Sequence, residues 1–139
     1  MALEALLDTR FYFSFYSPEN KEIANWSKEL VRKISRGEIH VSSSVVTIVE
    51  LYNTMGRTLG RDAIKIRVAS IKASNVEILS VTEQIAHLAG EITLNYPNVP
   101  LADAIIAATA FIHTKSTVIT DDEHFKQMEG LKTKWLRQV

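Results

Sequence analysis

Short apolar runs alternate along this chain with longer segments in which apolar residues recur every three or four positions. The runs predict strands and the intervening segments predict helices. Parallel strands joined through helices are covered by helices on both faces. The alternation therefore predicts an α/β fold, a three-layer α/β/α sandwich with a central, mainly parallel sheet. The predicted strands cover residues 2–8, 39–42, 76–81, 117–120 and 131–136.

Residues that start and stop helices bound the segments between these strands. Ser17 followed by Pro18 predicts a helix start, and Gly37 predicts the end of that helix. Thr82 predicts the cap of a later helix. The buried stripe predicted for that later helix consists of Ile85, Ala86, Leu88, Ala89 and Ile92. Further helices are predicted over residues 45–59, 61–73 and 101–113.

Composition narrows the class of protein. With 139 residues, of which 46% are hydrophobic, the chain can bury one full core, so we expect a single domain over residues 1–139. No cysteine is present, which excludes disulfides, zinc-thiolate sites and cysteine nucleophiles. The longest apolar stretch, 101–112, is shorter than the roughly 20 residues of a membrane span. These features predict a soluble, cytoplasmic protein without a membrane partner.

Four acidic residues stand where the pattern predicts burial or a sheet edge. Asp8 and Asp122 follow apolar strands, Glu50 lies inside an apolar helix, and Asp103 lies in the first turn of an alanine-rich helix. Ligands of an open parallel sheet bind beyond the carboxyl ends of its strands. Carboxylates that converge there repel one another unless cations neutralise them. Mg²⁺ or Mn²⁺ fits such oxygen ligands, and no histidine pair has the spacing of zinc ligands.

Each acid also has an ordinary structural explanation when it is taken alone. Asp8 can end a strand, Asp103 can complement a helix dipole, and Glu50 can be a solvated helix position. Asp121 and Asp122 can form a turn. Their joint occurrence in four separated segments favours a shared metal site.

Four motifs resemble, in order and spacing, the acidic motifs of the PIN domain, and the likeness is greatest to VapC-type toxins of prokaryotic toxin–antitoxin pairs. The resemblance covers essentially the whole chain. It implies a metal-dependent endoribonuclease in which Asp8, Glu50, Asp103 and Asp122 bind Mg²⁺ or Mn²⁺ and carry catalysis. It also implies an RNA substrate, a cognate antitoxin and a homodimer. The motifs are LLDT (6–9), VELY (49–52), LADAIIAATA (101–110) and VITDDEHF (118–125).

Three positions depart from the family pattern. Arg10 stands where a small hydroxyl residue is common, Asp121 replaces an amide, and His124 replaces an auxiliary acid. Asp121 could serve as an extra ligand or exchange roles with Asp122. His124 has the best functional claim of the four histidines because it adjoins the acids.

Other polar and aromatic positions allow two interpretations each. The hydroxyls of Thr9 and Thr120 could hydrogen-bond the metal-binding carboxylates or cap the strand ends. The dense aromatic run at 11–16 indicates core packing or, alternatively, a partner or dimer surface. A basic series consisting of Arg57, Arg61 and Lys65 would share one face of an unbroken helix, as a solvated stripe or as a track for RNA phosphates.

Two other functions use the same pattern. The chain could be an RNA-processing or quality-control PIN nuclease outside a toxin pair, or a catalytically silent PIN interaction module. The intact set of acids argues against a silent module. The absence of an additional RNA-binding domain favours the toxin.

Overall fold

A computed structural model describes residues 3–139 and shows one five-stranded sheet between layers of helices. The strand order is β3-β2-β1-β4-β5, and every neighbouring pair is parallel. The predicted α/β/α sandwich is confirmed, and its sheet is parallel throughout. The strands are Glu4–Leu7 (β1), His40–Ser44 (β2), Glu77–Leu79 (β3), Thr117–Ile119 (β4) and Lys132–Lys134 (β5).

Helices occupy the connections between the strands. A π-helical segment, Tyr52–Gly56, joins α3 to α4, and a 3₁₀ turn, Leu136–Gln138, follows β5. No helix within residues 3–139 is long and apolar enough to cross a membrane. The α-helices are Thr9–Tyr16 (α1), Lys21–Ser35 (α2), Val45–Leu51 (α3), Arg57–Leu59 (α4), Arg61–Ala73 (α5), Glu83–Asn95 (α6), Leu101–His113 (α7) and Glu123–Lys126 (α8).

Alternate residues of the central strands enter two separate cores. Leu6 and Val118 pack with α6 and α7 on one face of the sheet. Ala5, Leu7 and Ile119 pack with α1, α2 and α5 on the other face. Because both faces are covered, the side chains that follow β1 and β4 begin in an environment with little water.

The alanines of α7 let this helix lie close to the sheet. Ala104, Ala107, Ala108 and Ala110 are fully buried, and α7 contacts β1, β2 and β4. The small side chains of these alanines permit the close approach. It also brings the first turn of α7, with Asp103, to the edge of the sheet.

The prediction that Ser17 caps the second helix is wrong. Residues after Asp8 already form α1, which was not predicted as a helix, and the backbone N–H of Ser17 closes α1 on the carbonyl of Phe13. The second helix starts later, where the side chain of Asn20 accepts a hydrogen bond from the N–H of Ile23.

The aromatic run is mainly core packing. Phe11 and Tyr12 are buried, whereas Phe13, Phe15 and Tyr16 are half-buried against the same core. Helical geometry turns successive rings to different sides, so the dense run does not form one exposed apolar face.

The helix predicted over 45–59 is not a continuous α-helix. It changes to π-helical geometry at Tyr52 and ends at Gly60, whose φ of 94° and ψ of 166° no helix contains. Because Gly60 breaks the helix, Arg57, Arg61 and Lys65 do not lie on one continuous helix face. The helix over 61–73 begins after this glycine, as predicted.

The remaining differences concern element ends and one helix face. Four strands are shorter than predicted, whereas β2 extends to Ser44, beyond its predicted end at residue 42. The predicted start of the first strand at Ala2 lies outside the described residues. Thr82 caps α6 as predicted, by accepting from the N–H of Ile85. Ala86 is exposed and Leu88 only half-buried, so the buried stripe of α6 is narrower than predicted.

We predict that Gly60→Ala lowers the free energy of unfolding by about 1–3 kcal/mol, because the backbone conformation at Gly60 is open almost only to glycine. An added Cβ at Gly60 meets no atom within 4 Å, so any loss of stability comes from the strained backbone conformation and not from a steric clash. Gly90, inside α6, is the matched control because its added Cβ also meets no atom within 4 Å and its φ is not positive. Gly90→Ala should raise stability by about 0.5–1 kcal/mol. Urea unfolding measures both variants, and a Gly60→Ala protein as stable as wild type would contradict the prediction.

Candidate functional site

The site lies where the order of the strands reverses. The chain places β2 and β3 on one side of β1 and then returns to place β4 on the other. Leu7 pairs with Ile119, so Asp8 and Thr120 follow neighbouring strands at the same edge. This is the position at which open parallel sheets bind ligands.

Thr120 connects the acids that follow β1 and β4. Its hydroxyl donates to Oδ2 of Asp8 over 2.8 Å and accepts from the backbone N–H of Asp122 over 3.1 Å. Asp8 is only 3% exposed. One hydroxyl therefore fixes a buried carboxylate and the start of the neighbouring acidic segment.

A second hydroxyl chain holds Glu50. The hydroxyl of Thr9 donates to Oε1 of Glu50 over 2.6 Å, and the hydroxyl of Thr47 lies 3.0 Å from that of Thr9. Because Thr9 has one hydroxyl hydrogen, it can donate to only one of these two oxygens at a time. The sequence analysis missed Thr47. The available signal was its position three residues before Glu50, on the same helix face.

Asp103, Asp122 and His124 form a compact group of possible metal ligands. One ligand atom from each residue lies within 4.8 Å of the other two. The first turn of α7 positions Asp103, and Asp122 caps α8 by accepting the backbone N–H of His124 over 2.9 Å. Nδ1 of His124 lies 3.0 Å from Oδ1 of Asp122 and 3.3 Å from Oδ2 of Asp103.

Nδ1 of His124 makes no hydrogen bond. Nδ1 is closed to solvent, and despite the short distances to Asp103 and Asp122 neither contact has hydrogen-bond geometry. Two carboxylates and an unbonded nitrogen thus converge in a small volume. This donor set fits a divalent metal ion.

Burial and repulsion raise the proton affinity of two of the acids. Burial raises the pKa of Asp8 to about 7, against the hydrogen bond from Thr120, and the charges of Asp103, Glu50 and Asp122 raise it further. Burial, followed by the charges of Asp122 and Glu50, raises the pKa of Asp103 to about 6, although His124 opposes the rise. The structure therefore brings the four predicted acids within electrostatic reach of one another. Their roles in metal binding and catalysis stay predictions.

Asp121 faces away from this group, toward Arg10. Nε of Arg10 donates to Oδ1 of Asp121 over 2.9 Å, and a second nitrogen lies 3.4 Å from Oδ2. Arg10 also contacts Glu19 over 2.6 Å and the hydroxyl of Ser14 over 2.9 Å. Two departures from the family pattern, Arg10 and Asp121, thus bind each other, and Asp122 is the acid that lies beside Asp103.

Without divalent cations, we predict that stability falls as the pH rises from about 4 to about 8. The pKa of Asp8 is about 7 in the fold and 3.8 as its ordinary value, so the native state holds this proton more tightly than the unfolded chain. The stabilisation is complete below pH 4 and is lost as pH passes through 7, at a cost on the order of 4 kcal/mol. Urea unfolding in chelator at pH 5 and pH 8 measures it.

Two variants test the source of this pH dependence. Asp8→Asn should reduce the difference in stability between the two pH values, because the amide does not titrate, whereas Asp103, with a pKa of about 6, should retain the remainder. Glu91→Gln removes an exposed carboxyl from α6 and should leave the difference unchanged. Equal stability of wild type at both pH values would contradict the prediction.

Solved structures share this fold. The chain superposes on DNA-bound VapBC from Salmonella typhimurium with a TM-score of 0.73 at 20% identity, covering 96% of this chain and 98% of that one. A sarcin-ricin loop cleaving VapC toxin of Mycobacterium tuberculosis also gives 0.73, at 17% identity and coverages of 92% and 97%. FitAcB from Neisseria gonorrhoeae gives 0.65, at 23% identity and coverages of 93% and 95%. At these identities the likeness concerns the fold.

Sequence comparison gives the family. No curated protein sequence matches the chain. The family model of the PIN domain matches residues 5–131. This range includes the four acids and runs from the second residue of β1 to the residue before β5. This match spans far more than half of the chain. The chain therefore belongs to the PIN domain family.

Proposed function

We propose that this protein is a metal-dependent endoribonuclease that hydrolyses RNA phosphodiester bonds, with Asp8, Glu50, Asp103 and Asp122 as its catalytic and metal-binding acids. One observation carries the proposal: these four acids lie within electrostatic reach of one another, and their mutual repulsion helps to raise the pKa of Asp8 and of Asp103. Clustered acids with perturbed pKa values are typical of functional sites.

The charge of the site calls for a cation. Asp8 and Asp103 are buried, and each is destabilised in its ionised form by the neighbouring acids. Mg²⁺ or Mn²⁺ suits a site made mainly of carboxylate oxygens. When bound, such an ion lowers the pKa of a water ligand and stabilises negative charge on the phosphate.

Two threonines position two of the acids. The hydroxyls of Thr120 and Thr9 hold Asp8 and Glu50 in place, which leaves the remaining carboxylate lone pairs free for a ligand. Neither Asp103 nor Asp122 accepts a hydroxyl in this way. We assign to one of these two acids the task of orienting or deprotonating the attacking water.

The surface near the π-helical segment supports an RNA substrate. Arg57 and Arg61 line one groove together with the ring of Tyr52, which is partly exposed. The turn at Gly60 lies between the two arginines in the chain. Cationic side chains beside an aromatic ring suit the phosphates and bases of single-stranded or looped RNA.

We further propose that the protein is the toxin of a toxin–antitoxin pair. The support is the fold shared with the VapBC complexes of Rickettsia felis and Salmonella typhimurium and with a toxin–antitoxin complex of Klebsiella pneumoniae. A PIN nuclease of RNA processing or quality control would use the same chemistry. A silent interaction module is less well supported, because the four acids are intact.

A homodimer in the cytoplasm completes the proposal. We place the interface at α3 and α5, where the apolar side chains of Val49 and Ile66 are 65% and 67% exposed. The aromatic run at 11–16 contributes less to the interface than its composition predicts, since most of its rings pack in the core. An RNA substrate and the absence of cysteine suit a cytoplasmic location.

We predict that Asp8→Asn and Asp103→Asn each lower metal-dependent RNA cleavage on the order of 100-fold or more, because a charge needed at the reacting centre is removed. The fold should persist, since the amide keeps the size of the side chain and relieves repulsion. Cleavage of a cellular RNA mixture with and without chelator measures the effect.

Asp121→Asn is the matched control, because this carboxylate lies one residue from Asp122 and pairs with Arg10. It should lower cleavage much less than the other two substitutions. If wild type shows no metal-dependent cleavage, or if Asp8→Asn and Asp103→Asn cleave as well as wild type, the silent-module alternative replaces the nuclease.

We predict that light scattering at tens of micromolar gives the mass of two chains, and that Ile66→Glu shifts this mass toward one chain by placing a charge in the interface. Leu94→Glu, at an apolar side chain that is 81% exposed on α6, is the control and should keep the dimer. A monomeric wild type would contradict the dimer.

We also predict that co-expression with the product of a small reading frame immediately upstream gives a larger complex with suppressed cleavage. If no upstream product binds this protein, the proposed toxin pair is contradicted.

A further inference from the structure

One buried ring nitrogen beside the acids is left without a hydrogen bond. Within residues 3–139, the buried side-chain polar atoms that lack a partner are Nε1 of Trp26 and Nδ1 of His124. The indole nitrogen can only donate a hydrogen, whereas an imidazole nitrogen can also donate a lone pair. Nδ1 of His124 faces the carboxylates of Asp103 and Asp122.

We propose that His124 is a nitrogen ligand of the divalent ion and makes the site prefer transition-metal ions such as Mn²⁺ to Mg²⁺. The inference rests on the proposed metal-dependent function and adds the identity of a ligand and of the preferred ion. Its basis is the group that His124 forms with Asp103 and Asp122, whose ligand atoms lie within 4.8 Å of one another.

Local structure fixes the direction of the ring. The backbone N–H of His124 is held by Asp122, and the next residue, Phe125, is fully buried in the core. The side chain of His124 is 42% exposed, yet its Nδ1 is closed to solvent. The solvent therefore reaches other atoms of the side chain, and Nδ1 is directed inward to the acids.

The contact geometry favours a ligand over a counter-ion. A protonated imidazole would stabilise Asp103 and Asp122 best through aligned N–H bonds. Nδ1 lies 3.0 Å and 3.3 Å from their oxygens, but neither approach has the angle of a hydrogen bond. A lone pair directed between two carboxylates is instead suited to a shared cation.

The chemical consequence is selectivity. Mg²⁺ prefers oxygen ligands and keeps much of its water, whereas imidazole nitrogen suits transition-metal ions. His124 places a nitrogen donor beside the carboxylate oxygens of Asp103 and Asp122. Replacing an oxygen donor by nitrogen at this position should separate the affinities for the two kinds of ion.

Pulsed electron paramagnetic resonance of Mn²⁺ bound to the full chain tests the ligand directly. We expect a histidine nitrogen coupling in wild type that changes on ¹⁵N-histidine labelling and disappears in His124→Asp and His124→Gln. His87→Gln, at a side chain 81% exposed on α6, is the matched control and should keep the coupling. Circular dichroism establishes that each variant is folded.

Calorimetric titration with Mn²⁺ and with Mg²⁺ tests the selectivity. The ratio of the two affinities should fall about 10-fold or more in His124→Asp, which restores an oxygen donor, while Mg²⁺ binding persists. If wild type binds Mn²⁺ without a nitrogen coupling, or if the ratio is unchanged in His124→Asp, the inference is overturned and the proposed nuclease stands. If wild type binds neither ion, the inference and the metal-dependent function both fail.

Discussion

The hydrogen bond from Thr120 to Asp8 joins the two strands on which the site is built. β1 is central in the sheet and buried on both faces, so the carboxylate that follows it emerges into a region with little water. A buried carboxylate requires a partner, and the neighbouring strand supplies it through a hydroxyl 112 residues away along the chain. Parallel pairing of Leu7 with Ile119 sets the register that makes this contact possible.

The rest of the site surrounds this contact with two further supports. On the side of α3, the hydroxyls of Thr47 and Thr9 lead to Glu50. On the side of α8, Arg10 binds the carboxylate of Asp121 and so directs it away from the acids. Each support ties a residue next to an acid to a different element, so the positions of the acids depend on several elements at once.

Burial of Asp8 lowers the stability of the fold at the candidate site. An apolar pair in place of Asp8 and Thr120 would relieve the desolvation that raises the pKa of Asp8. The close packing of the alanines of α7 brings a further acid, Asp103, into the same region. Local destabilisation of this kind is characteristic of functional sites in otherwise well-packed proteins.

Much of this protein is determined by local sequence. The helix over 61–73 and the helix over 101–113 have the predicted bounds, because a glycine or a proline stands directly before each and the apolar spacing continues inside them. The strands are where apolar runs predict them, and the acids that follow the strands were identifiable by their motifs. Such signals act over a few residues and do not require the rest of the fold.

Only the tertiary structure decided how those acids are held. α1 was not predicted, since a dense aromatic run has no helical period, and its rings take their places from the cores they meet. Arg10 and Asp121 are 111 residues apart in the chain, and nothing local indicates that they form an ion pair. The inward direction of Nδ1 of His124 likewise depends on the cap at Asp122 and on the burial of Phe125. These features arise where the sheet brings distant segments together, because contacts between segments are fixed by packing and not by local propensity.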